Sequence, residues 1–186
     1  MSTSTRITVA EYDAMILRGE FEPSEEHHVE LIYGEITAMS PINPPHNFTV
    51  IELNDWSFEV LPAKAVWVCV QGAVGIPLLD SEPQPDLVWT RRVDFHLRHP
   101  RPDDVLLVIE VSDSSLPKDR GIKARLYAEA GIADYWIVNI RGRCVEVHRD
   151  PLGSTYRSVE VVRAGQEVRP LAFPAIALDV ERIFPS

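Results

Sequence analysis

The sequence has few cysteines, no long hydrophobic run and no excess of positive charge. Its two cysteines, Cys69 and Cys144, lie in β-like segments without a CxxC pair or a histidine at zinc-finger spacing, so we expect buried free thiols. No segment reaches the ~18 apolar residues that a membrane-spanning helix needs. The first residues also lack the basic start and apolar core of a signal peptide, so we expect a cytoplasmic protein without membrane association.

The formal net charge of −10 argues against a nucleic-acid partner, because phosphate binding depends largely on lysine and arginine. This charge is unevenly distributed along the chain. Residues 1–60 hold 11 acidic and 2 basic residues, whereas residues 61–186 hold 17 acidic and 16 basic residues. Basic clusters lie at 91–101, 118–125 and 141–143, and each alone is typical of a solvated face. The composition therefore permits a polyanionic substrate without predicting one.

Hydrophobic periodicity predicts two long helices, at about 47–60 and 117–130, the second capped by Ser114 or Ser115. A shorter helix is predicted near the N-terminus by a capping box that begins at Thr8. The remaining segments have strand character: HVELIY, EITAMS, AVWVCVQ, AVGIPL, PDLVWT, VLLVIEV, DYWIVNI, RCVEVHR and STYRSVEVV. The run VLLVIEV is too continuous for a half-solvated sheet and indicates a strand covered on both faces. The sequence therefore predicts an α/β (α+β) fold with a mixed β-sheet flanked by helices.

No repeat, linker or low-complexity tract divides the chain. Its 186 residues, 45% of them hydrophobic, suffice for one compact core. We therefore expect a single domain over residues 1–186.

Three carboxylates, Glu30, Asp86 and Glu110, lie in predicted strands, where burying an unpaired charge is unfavourable. Taken singly, Asp86 is consistent with a turn residue after Pro85, and Glu110 with a strand end near solvent. If the two strands pair antiparallel across the turn-rich stretch 91–104, however, Asp86 and Glu110 meet at one edge of a sheet. Such a pair suits a hard divalent cation, which can activate a water and neutralise charge on a phosphoryl oxygen.

Pro85 and Asp86, followed by a hairpin and the E-V-S of Glu110 to Ser112, resemble the PD-(D/E)XK nuclease superfamily. The wider order of motifs resembles the bacterial putative restriction endonuclease family within that superfamily. These motifs are VELIYGEI, SPINPPH, QPDLVW, VIEVSDSSLPKDRGIKARLYAEAGIADYWIV and a terminal apolar stretch closing in IF. The resemblance covers nearly the whole chain, from Val9 to Phe184, and implies a restriction-endonuclease-like core.

The resemblance also implies roles for individual residues. Asp86 and Glu110 are implied to bind Mg²⁺ or Mn²⁺ together with the backbone carbonyl of Val111. Further residues are implied to support the site: Glu30, Gln71 and His46. For His46, a role in capping a helix or ordering a loop is an equally common alternative.

The position of the catalytic lysine departs from the superfamily pattern, which places it two residues after the acid, where this chain has Ser112. The family resemblance implies that the lysine lies on the next helix, at Lys123. Asp119, Lys123 and Tyr127 repeat every four residues on one predicted helix face, so the long lysine side chain could reach back to the strand end. The alternative is an exposed Asp119–Lys123 pair that contributes little to stability.

The implied activity is metal-assisted hydrolysis of phosphodiester bonds in DNA by Asp86, Glu110 and Lys123, with RNA left open. Lys123 would orient the attacking water or stabilise charge on the phosphate, while Arg120 and the 91–101 loop could position the nucleic-acid backbone. A homodimer is also expected.

Three alternatives remain open. The segments YWIVNI and CVEVHR, with Tyr135 and Trp136, could form a dimer interface but are more often core. Ser112 and the acidic N-terminal third favour a catalytically inactive nuclease-like fold that binds nucleic acid or a protein. A third interpretation is an α/β interaction domain in which all three strand carboxylates are structural.

Overall fold

A computed structural model describes residues 6–21, 28–62 and 64–184. The chain forms an α+β fold around a mixed six-stranded sheet. Its elements are α1 (Val9–Leu17), β1 (Val29–Ile32), β2 (Glu35–Ala38), α2 (Pro44–Val60), β3 (Val66–Val70), β4 (Leu87–Arg91), β5 (Val105–Ser112), α3 (Leu116–Lys118), a π-helical turn (Asp119–Lys123), α4 (Ala124–Glu129), β6 (Asp134–Asn139), β7 (Cys144–Leu152), β8 (Thr155–Arg163), β9 (Glu167–Val168) and β10 (Leu178–Asp179). Short 3₁₀ helices lie at Pro77–Leu79 and Pro102–Asp104.

The central sheet has the strand order β3-β4-β5-β6-β7-β8. β5 and β6 run parallel, and the other neighbouring strands are antiparallel. α2 and the C-terminal segment pack on one face of the sheet, and α4 packs on the other. Every residue of β6 is buried, as is β5 from residue 107 to 112, which confirms the expectation of a strand covered on both faces.

The N-terminal elements form as their sequence predicts. The Thr8 side chain and Glu11 make the expected capping box at the start of α1. β1 and β2 pair as an antiparallel hairpin whose turn contains Gly34, at a φ of 77° that glycine adopts without strain. The backbones of Leu31 and Glu82 exchange two hydrogen bonds, which dock this hairpin beside the segment leading into β4.

α2 begins at Pro44, three residues before the predicted start. Asn43 caps it, because its side-chain oxygen accepts a hydrogen bond from the His46 amide at 3.0 Å. Proline is tolerated in this first turn because its missing amide hydrogen has no intrahelical acceptor there. His46 therefore lies on the first turn of α2, at the end of the helix that faces the edge of β4.

The predicted helix at 117–130 is present over residues 116–129, but Asp119–Lys123 forms a π-helical turn within it. Turns of this kind are frequent at functional sites. Ser115, one of the two predicted caps, occupies the N-cap position. Its hydroxyl makes no capping hydrogen bond, because it donates to the Asp119 carboxylate instead.

The structure also bears on the predicted strand at 73–78, the cysteines and the aromatic residues of β6. The predicted strand at 73–78 is wrong, because Pro77 lacks a backbone donor and begins a 3₁₀ helix, leaving a single bridge between Ile76 and Ser81. Both cysteines are free, Cys144 buried and Cys69 half-buried. Tyr135 and Trp136 are fully buried in the core. Among the described residues, no helix is long and apolar enough to cross a membrane.

Candidate active site

The antiparallel pairing of β4 and β5 brings Asp86 and Glu110 to the same edge of the sheet. Leu87 lies opposite Ile109, so the residue before β4 is adjacent to Glu110 near the end of β5. Both carboxylates line a cavity of about 50 Å³, which has room for a few water molecules or a hydrated ion. Its described lining includes five carboxylates and two lysines: Glu30, Asp86, Glu110, Asp113, Asp119, Lys118 and Lys123.

Glu30 reaches this cavity from β1 and is held by two lysines. Its Oε1 lies 2.8 Å from Lys118 Nζ, and its Oε2 lies 3.2 Å from Lys123 Nζ. The Gln84 amide also donates to Oε2, at 3.2 Å. Burial alone would raise the pKa of Glu30, but the two lysine charges and the amide lower it below its usual 4.5. Glu30 is therefore an ionised, fully buried carboxylate.

Glu110 shares Lys123 with Glu30. Lys123 Nζ donates to Glu110 Oε1 at 2.8 Å, and the Tyr127 hydroxyl donates to the same oxygen at 2.8 Å. Burial raises the pKa of Glu110 to about 8; Lys123 opposes this rise, whereas the neighbouring carboxylates add to it. Burial alone would lower the pKa of Lys123, but the surrounding carboxylates raise it, so Lys123 remains an ammonium ion. The cavity thus carries surplus negative charge.

Asp86 is fixed by groups from two other elements. Its Oδ2 accepts a hydrogen bond from the Val111 amide at 2.8 Å, and its Oδ1 lies 3.2 Å from His46 Nε2. Burial alone would lower the pKa of His46, but the Asp86 carboxylate raises it above 6.5, with smaller contributions from other acids. Gln71 lies beside this pair and lines an adjacent surface pocket with His46 and Asp86. The backbone amide of Gln71 donates a hydrogen bond to the backbone carbonyl of Asp86.

The structure therefore brings six of the seven sequence-predicted site residues to one cavity and places Gln71 at its neighbour. They are Glu30, His46, Asp86, Glu110, Val111 and Lys123. Lys123 does reach back from the helix to the strand end. The alternative of an exposed Asp119–Lys123 pair is wrong, because both residues are buried.

Ser112 has a defined contact although it stands where the superfamily has its lysine. Its hydroxyl donates to Asp119 Oδ2 at 2.6 Å, and the Ser115 hydroxyl donates to the same oxygen at 2.6 Å. Burial raises the pKa of Asp119, and Lys123 and the two hydroxyls counteract this. Sequence reasoning missed Asp119 as a site residue, although its spacing from Lys123 and Tyr127 was a usable signal.

Sequence reasoning also missed Lys118. This lysine belongs to a basic cluster that is typical of a solvated face, and nothing in the sequence pairs it with Glu30. In the structure its ammonium group contacts Glu30 and lies 3.3 Å from the Ala38 carbonyl oxygen. Its side chain is 27% exposed, so it lies at the mouth of the cavity.

The donor set at this cavity fits a hard divalent cation. Such ions prefer oxygen ligands, and Mg²⁺ binds one or two protein carboxylates while keeping several waters. Asp86 and Glu110 provide the carboxylates, and both described donors to Glu110 contact Oε1 rather than Oε2. A cation here would also offset the charge of the neighbouring carboxylates, which adds to the rise that burial causes in the pKa of Glu110.

Comparison with known proteins identifies the family and the fold. Residues 9–181 match the model of the Uma2 family, described as "Putative restriction endonuclease". The chain is also similar to a solved structure described as a "putative nuclease belonging to DUF820 from Anabaena variabilis ATCC 29413". The TM-score is 0.70 at 15% sequence identity, over 96% of this chain and 97% of that chain. At this identity the likeness establishes the fold alone.

No curated protein matches the chain. The family model, however, spans residues 9–181, which include the β4–β5 hairpin, the π-helical turn and both carboxylates at the sheet edge. A match of that extent establishes membership. The chain belongs to the Uma2 family, described as putative restriction endonucleases, and has the fold of a nuclease-like protein.

Proposed function

We propose that this protein is a metal-dependent endonuclease that hydrolyses phosphodiester bonds in DNA. The proposal rests mainly on the positions of Asp86 and Glu110, which lie close together at one edge of the sheet, with the buried Lys123 ammonium 2.8 Å from Glu110. A buried cation beside paired carboxylates matches the needs of phosphoryl chemistry, in which charge must be neutralised on a phosphate oxygen. Family membership supports the same activity class.

Asp86, Glu110 and the backbone carbonyl of Val111 would hold Mg²⁺ or Mn²⁺. When bound, the ion supplies Lewis acidity at a phosphate oxygen and lowers the pKa of a bound water. Neighbouring residues of the chain hold these two carboxylates in place. The Val111 amide and His46 fix the two Asp86 oxygens, and Tyr127 orients Glu110 through its Oε1. Ligands fixed by such contacts need little rearrangement on binding.

Lys123 would stabilise charge on the phosphate or orient the attacking water. Its ammonium group is positioned by two carboxylates, Glu110 Oε1 at 2.8 Å and Glu30 Oε2 at 3.2 Å. Glu30 is itself held by Lys118 and Gln84, so its role is to position Lys123 rather than to meet the substrate. A fixed cation in a cavity with little water interacts more strongly with charge than the same group in bulk solvent.

Substrate binding would use exposed basic residues near the cavity. Arg120, an expected contact to the nucleic-acid backbone, is a weak candidate because its Nε and Nη2 both donate to the Glu146 carboxylate. Arg141 is a better candidate. Its side chain is 72% exposed and contacts Asp113, which lines the cavity. Arg98 in the 91–101 loop is engaged by Asp104. Phosphate contacts of this kind position a nucleic acid without reading its sequence.

The test is cleavage of supercoiled plasmid, single-stranded DNA and RNA in the presence of Mg²⁺ or Mn²⁺. We expect wild-type protein to nick or linearise the plasmid, and Asp86→Asn, Glu110→Gln and Lys123→Met to lose at least about a hundredfold in rate. Glu160→Gln is the matched control, since it neutralises an exposed carboxylate on β8. Cleavage that survives all three site substitutions would contradict the assignment. Cleavage of RNA but not DNA would change the proposed substrate.

The alternative of a nuclease-like binding module rests on Ser112, which occupies the superfamily's lysine position and is engaged with Asp119. If the wild-type protein binds metal and nucleic acid without cleaving either substrate, this alternative is correct. Cleavage separates the two results, and metal binding measured by titration calorimetry, with Asp86→Asn as the control, separates both from a purely structural role of the carboxylates.

The homodimer and the cytoplasmic location stay predictions. The segments that suggested a dimer interface lie in the core, so a dimer would need another surface. β8 is an edge strand of the sheet, and its residues Val159 and Val161 are about half exposed, at 54% and 47%. Light scattering on wild-type protein and on a Val159→Lys variant tests whether this strand is that surface.

A further inference from the structure

A second group of metal-binding side chains lies outside the candidate active site. Asp13 on α1, Glu82 in the segment before β4 and His99 in the loop after β4 each offer one ligand atom, and these atoms all lie within 4.8 Å of one another. Within the parts of the chain that the structure describes, no other three histidine, cysteine or acidic residues bring their ligand atoms this close together. The three residues come from segments that are far apart in the sequence.

Glu82 is the observation that points to a ligand. Its side chain is 1% exposed, and no amide or hydroxyl group among the described residues donates a hydrogen bond to either carboxylate oxygen. Its near neighbour Asp13 is a second carboxylate, which can join it only through a shared proton or a cation. The nitrogen of His99 lies 3.5 Å from Oε1, beyond the usual length of a hydrogen bond. Burial, followed by the nearby Asp13, raises the pKa of Glu82 to about 7. A buried carboxylate without donors is unfavourable unless a cation or a proton joins it.

We propose that Asp13, Glu82 and His99 bind Zn²⁺. Two carboxylates and one imidazole form a three-ligand set that leaves further positions for water, as in zinc sites with an open coordination position. The imidazole favours transition metals over Mg²⁺ and Ca²⁺, which prefer oxygen ligands throughout. The side chain of His99 is 47% exposed and borders a surface groove, so an ion has a path to the buried Glu82.

A metal at this site would connect three elements that meet near the hairpin of β1 and β2. Glu82 exchanges backbone hydrogen bonds with Leu31, whose neighbour Glu30 holds Lys123. Gln84, two residues after Glu82, donates its amide to Glu30. The metal would thus brace the segment that positions Glu30, while its own ligands stay outside the active-site cavity. Its existence does not depend on the proposed nuclease activity.

Metal titration tests this site independently of catalysis. The Asp86→Asn variant weakens any metal binding at the active site and serves as the background. After chelation and removal of the chelator, Zn²⁺ is titrated into this variant by calorimetry, and Co²⁺ is added separately to record its visible absorption. We expect one bound Zn²⁺ and a visible Co²⁺ spectrum that changes when His99 is replaced by alanine. Adding His99→Ala or Glu82→Gln should weaken this binding at least about tenfold.

His96→Ala is the matched control, because His96 is an exposed histidine of the same loop that contacts Asp94. It should leave the affinity for Zn²⁺ unchanged. His99→Ala truncates a half-exposed side chain, so it tests the site even if Glu82→Gln fails to fold. Equal Zn²⁺ affinity with and without His99, or no Zn²⁺ binding in the Asp86→Asn background, overturns the proposal. Asp13 and Glu82 would then share a proton instead of a metal.

Discussion

Lys123 is the buried cation on which the charge balance of the active-site cavity depends. Replacing it with methionine keeps the length of the side chain and removes the charge. The side chain is 5% exposed, and its ammonium group contacts Glu110 at 2.8 Å and Glu30 at 3.2 Å. Removing one partner of a buried ion pair typically costs 3–5 kcal/mol. Because Lys118 still pairs with Glu30 in the variant, we expect the lower end, about 3 kcal/mol.

Urea unfolding followed by circular dichroism measures this loss in the free energy of unfolding. For a chain of this size, about 3 kcal/mol corresponds to a fall of roughly 6–12 °C in the melting temperature. A domain with a typical stability of about 5–15 kcal/mol would remain folded. Arg125→Met is the matched control on the same helix, since Arg125 is 62% exposed and forms an i,i+4 pair with Glu129. It should cost less than about 1 kcal/mol.

A double variant identifies the origin of the loss. In Lys123→Met/Glu110→Gln the neutral amide no longer requires a cation, so the double variant should be more stable than the sum of the single losses predicts, by about 1 kcal/mol or more. A loss for Lys123→Met no larger than that for Arg125→Met refutes the reasoning. Strict additivity of the two substitutions refutes it as well, because it would mean that Lys123 and Glu110 do not interact.

Three further outcomes are expected. Arg120→Gln should cost about 2 kcal/mol at pH 7, below the usual value for buried pairs because half of the Arg120 side chain is exposed. Burial alone would raise the pKa of Glu146, but hydrogen bonds from Arg120 and Asn139 lower it below 4.5. The Arg120–Glu146 pair therefore contributes fully to the free energy of unfolding above pH 4.5, and this contribution is lost as the pH falls through the lowered pKa of Glu146 in the folded protein. The stabilities of variant and wild type should then converge in acid. A difference between them that stays constant with pH would contradict this. Tyr127→Phe, which removes a hydrogen bond to Glu110, should cost about 1–2 kcal/mol in urea unfolding and slow plasmid cleavage less than Lys123→Met does. Chelation with EDTA should abolish plasmid cleavage and added Mg²⁺ should restore it, whereas cleavage that persists in EDTA would exclude metal-dependent hydrolysis.

The meeting of Asp86 and Glu110 could be predicted from sequence because it depends on local features. A turn-rich stretch between two apolar runs predicts an antiparallel hairpin, and the register of a hairpin follows from where its strands begin and end. The register places Leu87 opposite Ile109, as the positions of the two acids require. The fold class followed for the same reason, since continuous apolar strands demand cover on both faces.

Glu30, His46 and Lys123 were assigned to the site by the family resemblance and not by local patterns, because they come from segments whose approach is set by tertiary packing. Glu30 reaches the cavity through the docking of β1 on the segment that contains Glu82, a contact made by backbone atoms and invisible to side-chain patterns. The π-helical turn has no sequence signature, and it brings Asp119 and Lys123 into the cavity. The role of Ser112 depends on that turn, because Asp119 accepts its hydrogen bond.

The charge composition of the cavity bears on the interpretation in which the strand carboxylates are only structural. A buried ion pair is weak evidence for stability, because apolar residues of similar volume often stabilise a fold as well or better. Here the carboxylates outnumber the lysines; burial raises the pKa of Glu110 to about 8, and the neighbouring carboxylates add to that rise against the opposing charge of Lys123. A structural network would gain stability from a balanced set of charges or from none. A surplus of buried negative charge beside an open cavity is instead what a site requires if a divalent cation completes it, and this favours the nuclease proposal over a structural role.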